Sequence, residues 1–387
     1  MAIPFVYVRA GGSYREIGRQ VGEAARPQIE ASVAFYADNF EAMSGGLSFG
    51  EAQRQAAVYL RHARAYTPQG VEELEGMAEG AGVPFPALLV PNCGEEFTAS
   101  EPTVGSRPDP PVAGEPESTA ARGSGPTVGT QPRPRLAPGC TAVAIVSQGR
   151  HVVGHNMDWY VVDAVNNVLF DLTVNDGTRL LAFAGAAYLP IVGLNSHGIG
   201  NLSNSVCSTD NLVGVPNVFV RRSTMEDASL EAAREHGLLA ARARGTNQFF
   251  ADTAGRLWDI ESSAGSAAFA DHSAVGYMAH TNHYVAPEMA PFEGSDQQES
   301  RTRLNTAEAM LAEGLERGDD PVELVARILR CHEPNSKECI CGHADLSEPL
   351  AEQGMTVGSI ICDLDERRLY ACAGTPCDNP YQVFEMD

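Results

Sequence analysis

The sequence predicts an α+β protein in which antiparallel sheet is covered by helices. Three observations carry that expectation. The first hundred residues have helical periodicity, hairpin strands begin at Cys140, and the later helices come in separate runs rather than after every strand. In the first part, Ile17, Val21, Ala25, Ile29 and Val33 recur every fourth residue on a segment starting near Tyr14. Residues 52–66 and 71–81 read as further helices, the second stopped by Gly82 and Pro84. From Cys140 onward the pattern becomes strands joined by turns. Residues 141–146 and 152–156 flank Ser147-Gln-Gly-Arg150, and 167–174 and 178–184 flank Asn175-Asp-Gly177. A further pair, 249–252 and 257–261, and a last hairpin, 359–364 and 369–373, complete the expected strands. Helices are expected at 230–244, stopped by Gly245, at 301–315, and at 322–329 after Pro321.

Between these halves the composition changes. Residues 100–138 hold nine prolines and five glycines, with no aromatic residue and no isoleucine. Such a stretch buries too little apolar surface to offset the ordering of its backbone, so a linker is expected there. The chain thus divides into a helical part, 1–99, a Pro/Gly-rich linker or pro-segment, 100–139, and a strand-rich part, 140–387, intertwined with the first.

The 387 residues are 43% hydrophobic and carry a net charge of −23. A substantial core is expected, and so acidic a surface repels nucleic acid and anionic membranes. The start lacks the features of a secretory signal, and no apolar run is long enough to span a membrane. Nine scattered cysteines, an odd number, fit a reducing cytoplasm better than a disulfide scaffold. His-Glu-x-x-His is absent, so a metalloprotease reading fails, and the one Gly-x-Ser-x-Gly match, Gly46-Leu-Ser-Phe-Gly50, has no strand before it to form a nucleophile elbow, so a serine-hydrolase reading fails too. Gly193-Leu-Asn-Ser-His-Gly-Ile-Gly200 lacks both the P-loop lysine and the dinucleotide-binding spacing.

Cys140 is the residue whose position calls for chemistry. An unperturbed thiol titrates near 8.5 and needs a base. Cutting the Gly139–Cys140 bond would free an α-amine, titrating at about 7.7–8.0, beside the thiol, so that one residue holds both nucleophile and base. Gly139 offers no side chain to block attack on its carbonyl. On these residues alone, a core cysteine opening a strand is the simpler alternative.

Further segments change that balance. Gly139-Cys-Thr-Ala-Val-Ala is followed by Gly154-His-Asn-Met-Asp-Trp159, by the Gly193–Gly200 segment and by His280-Thr-Asn-His-Tyr284. With Gly12–Gly22, Glu73–Gly82, Ile340-Cys-Gly-His343, Thr356–Ile361 and Ala373-Gly-Thr-Pro-Cys377, this order resembles the isopenicillin-N acyltransferase (acyl-coenzyme A:6-aminopenicillanic acid acyltransferase) family. Its relatives include beta-alanyl-amine hydrolases and, more distantly, bile salt hydrolases and penicillin V acylases. The resemblance implies the four-layer α-β-β-α sandwich of the N-terminal-nucleophile hydrolase class. It also implies self-cleavage at Gly139–Cys140 and acyl transfer or amide hydrolysis through a thioester on Cys140. Asp158, 18 residues after Cys140, matches the aspartate that holds the catalytic amine. Asn282 matches the oxyanion asparagine. Asn195 and Asn156 are supporting candidates, with turn or strand-end hydrogen bonding as the alternative. His155, Trp159 and His283 are candidate substrate contacts. His155 stands where relatives carry Gln or Arg, and Gly94, before Glu95, stands where they often carry Arg. The linker is also longer than the family pattern.

The resemblance implies no cofactor, with acyl-coenzyme A a conceivable co-substrate, and small-molecule amides or amines as partners. The alternatives are a pure amide hydrolase of the beta-alanyl-amine or N-acyl-amine type, and a non-catalytic or zinc-binding relative. Cys331, His332, Cys339, Cys341 and His343 would be the zinc candidates. Cys339 and Cys341 are only two apart and no second clean pair follows, so no metal ligand is expected.

Overall fold

The structure is a computed structural model, and it describes residues 5–97, 139–239, 241–294 and 297–386. Residues 100–138 of the expected linker lie outside the described residues. Chain order begins with strand β1 (Val6–Gly11) and helices α1 (Tyr14–Ala24), α2 (Arg26–Met43), α3 (Phe49–Tyr66), α4 (Pro68–Ala81), α5 (Phe85–Asn92) and α6 (Gly94–Phe97). Then come β2 (Cys140–Ser147), β3 (Arg150–Tyr160), β4 (Asn167–Thr173), β5 (Arg179–Gly185), β6 (Gly193–Asn195) and β7 (Ile199–Ser205). Helices α7 (Asn217–Ser223) and α8 (Leu230–Leu239) precede β8 (Thr246–Asp252), β9 (Leu257–Ser262), β10 (Ala267–Asp271) and β11 (Tyr277–His280). The chain closes with α9 (Gln298–Arg317), α10 (Pro321–Leu329), β12 (Gly354–Asp363), β13 (Arg368–Ala373) and β14 (Gln382–Glu385).

The strands form two sheets. One has the order β1-β4-β5-β6-β7-β8-β9-β10 and the other β11-β2-β3-β12-β13-β14. Alternation along each strand splits its apolar residues between two cores. In β2, Ala142 and Ala144 face the eight-stranded sheet and pack with Leu169, Leu181 and Phe183, while Val143 and Ile145 face outward against Leu311, Leu324 and Val325 of α9 and α10. In β4, Leu169 points to the inner core and Val168 and Phe170 point to the helices of the N-terminal part. The resulting order is helices, sheet, sheet, helices: the α-β-β-α sandwich.

Local chemistry explains the helix boundaries. Ser13 and Glu16 make a reciprocal capping box at the start of α1. The apolar stripe of 17–33 is shared by two helices rather than one, because the chain breaks at Ala25 and Pro27 sits in the first turn of α2. Helices α1 and α4 cross at backbone contact. A Cβ on Gly18 would lie 1.9 Å from the Glu73 carbonyl oxygen, and one on Gly76 would lie 2.2 Å from that of Arg15. The glycines of both sequence segments therefore serve close packing.

Several expectations are corrected. The helix expected at 230–244 ends at Leu239, since Arg242 bridges to Val215 and its guanidinium donates to the Gly237, Ser263 and Ser266 carbonyls. The N-terminal part is mostly helical, and it adds one strand that the sequence did not show, β1, which pairs parallel with β4 at the edge of the large sheet. The short strands β6, β10, β11 and β14 and the helix α7 carry too little periodicity to be read from sequence. Among the described residues, no helix is long and apolar enough to cross a membrane.

Candidate active site

Strand register brings the candidate residues to one end of the six-stranded sheet. Cys140 opens β2, opposite Met157 of β3, so Asp158 follows immediately beside it. On the other flank His280 of β11 pairs with Ala142, and the chain leaving β11 carries Asn282 back to Cys140. A bulge in β12 between Thr356 and Gly358 sets Thr356 opposite Asp158.

Four hydrogen bonds lock the Gly139–Cys140 junction. The Cys140 backbone N–H donates to Asn282 Oδ1 at 2.8 Å. Arg303 of α9 donates through Nη2 to the same Oδ1 at 2.7 Å, and through Nη1 to the Cys140 carbonyl at 2.7 Å and Thr141 Oγ1 at 3.0 Å. A guanidinium has only donors, so the Asn282 atom it meets must be the oxygen. The Asn282 Nδ2 then donates to the Ser205 carbonyl, at the end of β7, at 2.9 Å. Gly139 completes the fit: a Cβ there would fall 1.8 Å from Asn282 Oδ1.

The electrostatics are those of a restrained thiol beside a carboxyl that titrates near neutrality. Cys140 is half-buried as a residue, but crowding around its sulfur, then the Asp158 charge, push the thiol up to about 12. The Asp158 backbone N–H pulls the other way. Burial lifts the Asp158 carboxyl to about 7, against the opposing pull of Arg303 and of the Thr356 hydroxyl that donates to its Oδ1 at 2.6 Å.

The pattern of residues 146–376, which holds Asp158, Asn282 and Arg303 and begins just after Cys140, matches the family model for acyl-coenzyme A:6-aminopenicillanic acid acyl-transferase. The chain belongs to that family. Membership puts it among acyl-transfer enzymes. Among solved structures, a conjugated bile acid hydrolase from Clostridium perfringens (its C2A mutant) is similar at 11% identity and a TM-score of 0.43, covering 64% of this chain and 97% of that one. A penicillin V acylase from Agrobacterium tumefaciens is similar at 11% identity and a TM-score of 0.43, covering 64% of this chain and 86% of that one. A search of curated proteins gives no match.

The other candidates in this acyl-transferase family member sit further out. Asn195 fits the turn alternative. Its Nδ2 donates to the Met225 and Asp227 carbonyls and its Oδ1 accepts from the His197 and Ile199 N–H groups, which uses the whole amide away from Cys140. Asn156 fits the hydrogen-bonding alternative as well. It points to the outer face, donates to the Leu329 and Ile340 carbonyls and accepts from Ser359. His155 lies between the sheets, with Nε2 at 2.9 Å from the Ser203 carbonyl, and burial holds it down at about 4. His283 is bound to Ser300 Oγ at 2.7 Å, and the same hydroxyl accepts the Asn282 N–H. Burial, then the charge of His280, brings His283 down to about 4. His283 thus steadies the Asn282 loop as a neutral ring. Trp159 donates its indole N–H to the Tyr36 and Tyr188 hydroxyls, which ties Asp158's neighbour to the N-terminal helices.

Sequence reasoning missed three residues. Arg303 lay inside an expected helix, with nothing to distinguish it from surface arginines. Thr356 stands out in the sequence only as the first residue of the family-like segment Thr356–Ile361, ahead of the strand expected from 359. Arg221 of α7 pairs with buried Glu95 at 2.7 Å, so the guanidinium that Gly94 cannot supply reaches Glu95 from another element. Glu95 also accepts from the Ser205 hydroxyl at 2.6 Å, next to the carbonyl that holds Asn282. Burial works to raise Glu95, but Arg221 and Arg244 outweigh it and bring the carboxyl down to about 2. Its neighbour Glu96 is lifted to about 7 by burial and by Glu95 itself.

Proposed function

We propose that this chain is a self-processing cysteine acyltransferase or amidohydrolase that forms or breaks an amide bond of a small molecule through a thioester on Cys140. The observation that carries this reading is the Gly139–Cys140 junction: a glycine that admits no side chain, and a scissile N–H held by Asn282, which Arg303 fixes in turn.

In self-cleavage the Cys140 sulfur attacks the Gly139 carbonyl carbon, the C–N bond breaks, and the thiol proton ends on the departing Cys140 nitrogen. Water then hydrolyses the thioester to a Gly139 carboxylate and restores the thiol. A thiol near 12 does not ionise unaided at neutral pH, and an Asp158 carboxyl near 7 supports proton transfer at that pH. Once free, the Cys140 α-amine takes over as base, with Asp158 orienting it. The two fragments, 1–139 and 140–387, stay associated.

In turnover the sulfur attacks the acyl carbon of an amide or thioester. The leaving group takes the proton relayed by the α-amine, and water or an amine acceptor then releases the acyl group. Asn282 Nδ2 carries two protons and spends one on the Ser205 carbonyl, so the other remains for the oxyanion. The cycle needs no cofactor. The net charge of −23 gives a polyanionic donor no general attraction, which favours hydrolysis, or transfer from a non-nucleotide amide, over use of acyl-coenzyme A.

Capture of the intermediate tests this reading. A panel of N-acyl amides and activated acyl esters, quenched in acid, should leave an acyl mass on the fragment beginning at Cys140 and none in Cys140→Ala. Equal labelling of the variant would overturn it.

A further inference from the structure

The cysteine-rich loop dismissed on spacing closes into a different set of four residues. His332 follows α10, Cys341 and His343 precede β12, and Cys377 lies in the turn after β13. Their donor atoms all lie within 4.8 Å of one another. His332 Nε2 stands 3.1 Å from His343 Nε2, that nitrogen stands 3.3 Å from Cys377 Sγ, and Cys377 Sγ stands 3.6 Å from Cys341 Sγ.

We infer that His332, Cys341, His343 and Cys377 form a tetrahedral zinc site. Zinc–sulfur bonds of about 2.3 Å and zinc–nitrogen bonds of about 2.0–2.1 Å put tetrahedral ligands about 3.3–3.8 Å apart, close to the three separations found. Two thiols and two imidazoles are the donors of structural zinc and are unsuited to magnesium or calcium. Cys341 is buried, Cys377 is half-buried and both histidines are exposed, so an ion has a path from solvent to a closed inner corner. The Asp378 carboxylate lies 3.9 Å from His343 Nδ1, on the ring edge away from the cluster. Metal-bound histidines commonly meet a carboxylate there.

Four protein ligands leave no open coordination position, so the role is structural. The ion joins three chain segments: the exit of α10, the approach to β12 and the turn after β13. Gly342, between two ligands, bonds Thr356 in both directions: its N–H donates to Thr356 Oγ1 at 2.9 Å and its carbonyl accepts the Thr356 N–H at 3.0 Å. Thr356 is the residue that holds Asp158. The other carboxylate–histidine cluster, Asp259, Glu261 and His280, is a buried ion pair: Glu261 accepts from His280 and from the Val285 and Ala286 N–H groups.

The site was not visible as spacing because one half of each pair is remote. Cys339, which made the spacing wrong, is not a ligand, and its thiol faces the Ser336 and Cys341 carbonyls.

The test uses the full chain, desalted from zinc-supplemented growth, in wild type, Cys140→Ala, His332→Ala and Cys377→Ser. Elemental analysis should find about one zinc per chain in the first two and background in the last two. Cobalt exchanged into the wild type should give the strong thiolate charge-transfer and tetrahedral d–d bands of a two-thiolate site, a readout that does not depend on a variant folding. Equal zinc in all four proteins would overturn the assignment. So would a weak octahedral cobalt spectrum, or a Cys341–Cys377 disulfide in freshly isolated protein.

Discussion

Cys140 and Cys377 are both half-buried cysteines at the six-stranded sheet, yet their neighbours ask different things of sulfur. Around Cys140 stand a carboxyl, an amide and a guanidinium engaged with one another, and crowding drives the thiol up to about 12. Around Cys377 stand a second thiol and two imidazoles whose donor atoms converge on one point. The first setting holds a proton on sulfur until a base is supplied. The second suits sulfur that gives up its proton to a metal. One chain of bonds connects them, from Gly342 through Thr356 to Asp158. Cysteine chemistry in this protein is therefore set by what the sulfur faces rather than by how exposed it is.

The largest effect that separates the two corners comes from Asn282 and Asp158. Asn282→Ala removes the acceptor for the Cys140 N–H and the proposed oxyanion donor, and should slow acyl capture by about 10²–10³-fold. Asp158→Asn should fall in the same range, and both should keep the wild-type zinc content. Capture at the wild-type rate in both variants, measured by quenched mass spectrometry, would remove them from the mechanism.

Next is Glu95→Gln, which strips the buried Arg221 of its counter-charge behind the Cys140 corner. Breaking such a pair costs about 3–5 kcal/mol, read as a lower midpoint in denaturant. The sign with pH follows from the depressed carboxyl. The contribution of Glu95 is full above about 4.5 and is lost as pH falls through about 2. The gap between variant and wild type should therefore narrow in strong acid, and a constant gap would contradict the pairing.

Thr356→Val makes the smallest change and cuts the bond that joins the corners. The lost hydrogen bond costs about 0.5–1.5 kcal/mol. Thr356 holds Asp158 down, so its loss raises that carboxyl further, and the acidic limb of the pH–rate profile should move up by up to about one unit. Asp158 is already raised from 3.8 to about 7, so its share of stability is present below about 4 and fades as pH rises through about 7. Calorimetry of Asp158→Asn across that range should show a flatter dependence than wild type. An unchanged slope would mean that the carboxyl is not buried as described.

How much of this the sequence carried depends on whether a feature is local. The hairpins at 147–150 and 175–177 and the helix after Pro321 were legible, because turn residues and periodicity lie within a few positions of one another. The class of the fold followed from their order. The break at Ala25 was hidden by a stripe that continues across two helices, and Leu230–Leu239 was overrun because alanine-rich sequence continues beyond its end. At the candidate site, Cys140, Asp158 and Asn282 could be named from motifs. Arg303 could not, since its function depends on α9 lying over β2, a contact between residues 163 positions apart. For Asn156 and Asn195 the sequence left a supporting role and backbone hydrogen bonding both open, because an asparagine near a glycine-rich or strand-end motif often serves the backbone, and the amides of both bond backbone groups.

The proposed chemistry depends on the Gly139–Cys140 bond being cut by the residue it releases. Intact mass of the wild-type chain and of Cys140→Ala, each purified under denaturing conditions soon after synthesis, tests it most directly. Two fragments are expected in the wild type, the second starting at Cys140, and one unsplit chain in the variant. A wild-type chain that stays whole while turning over substrate would contradict it.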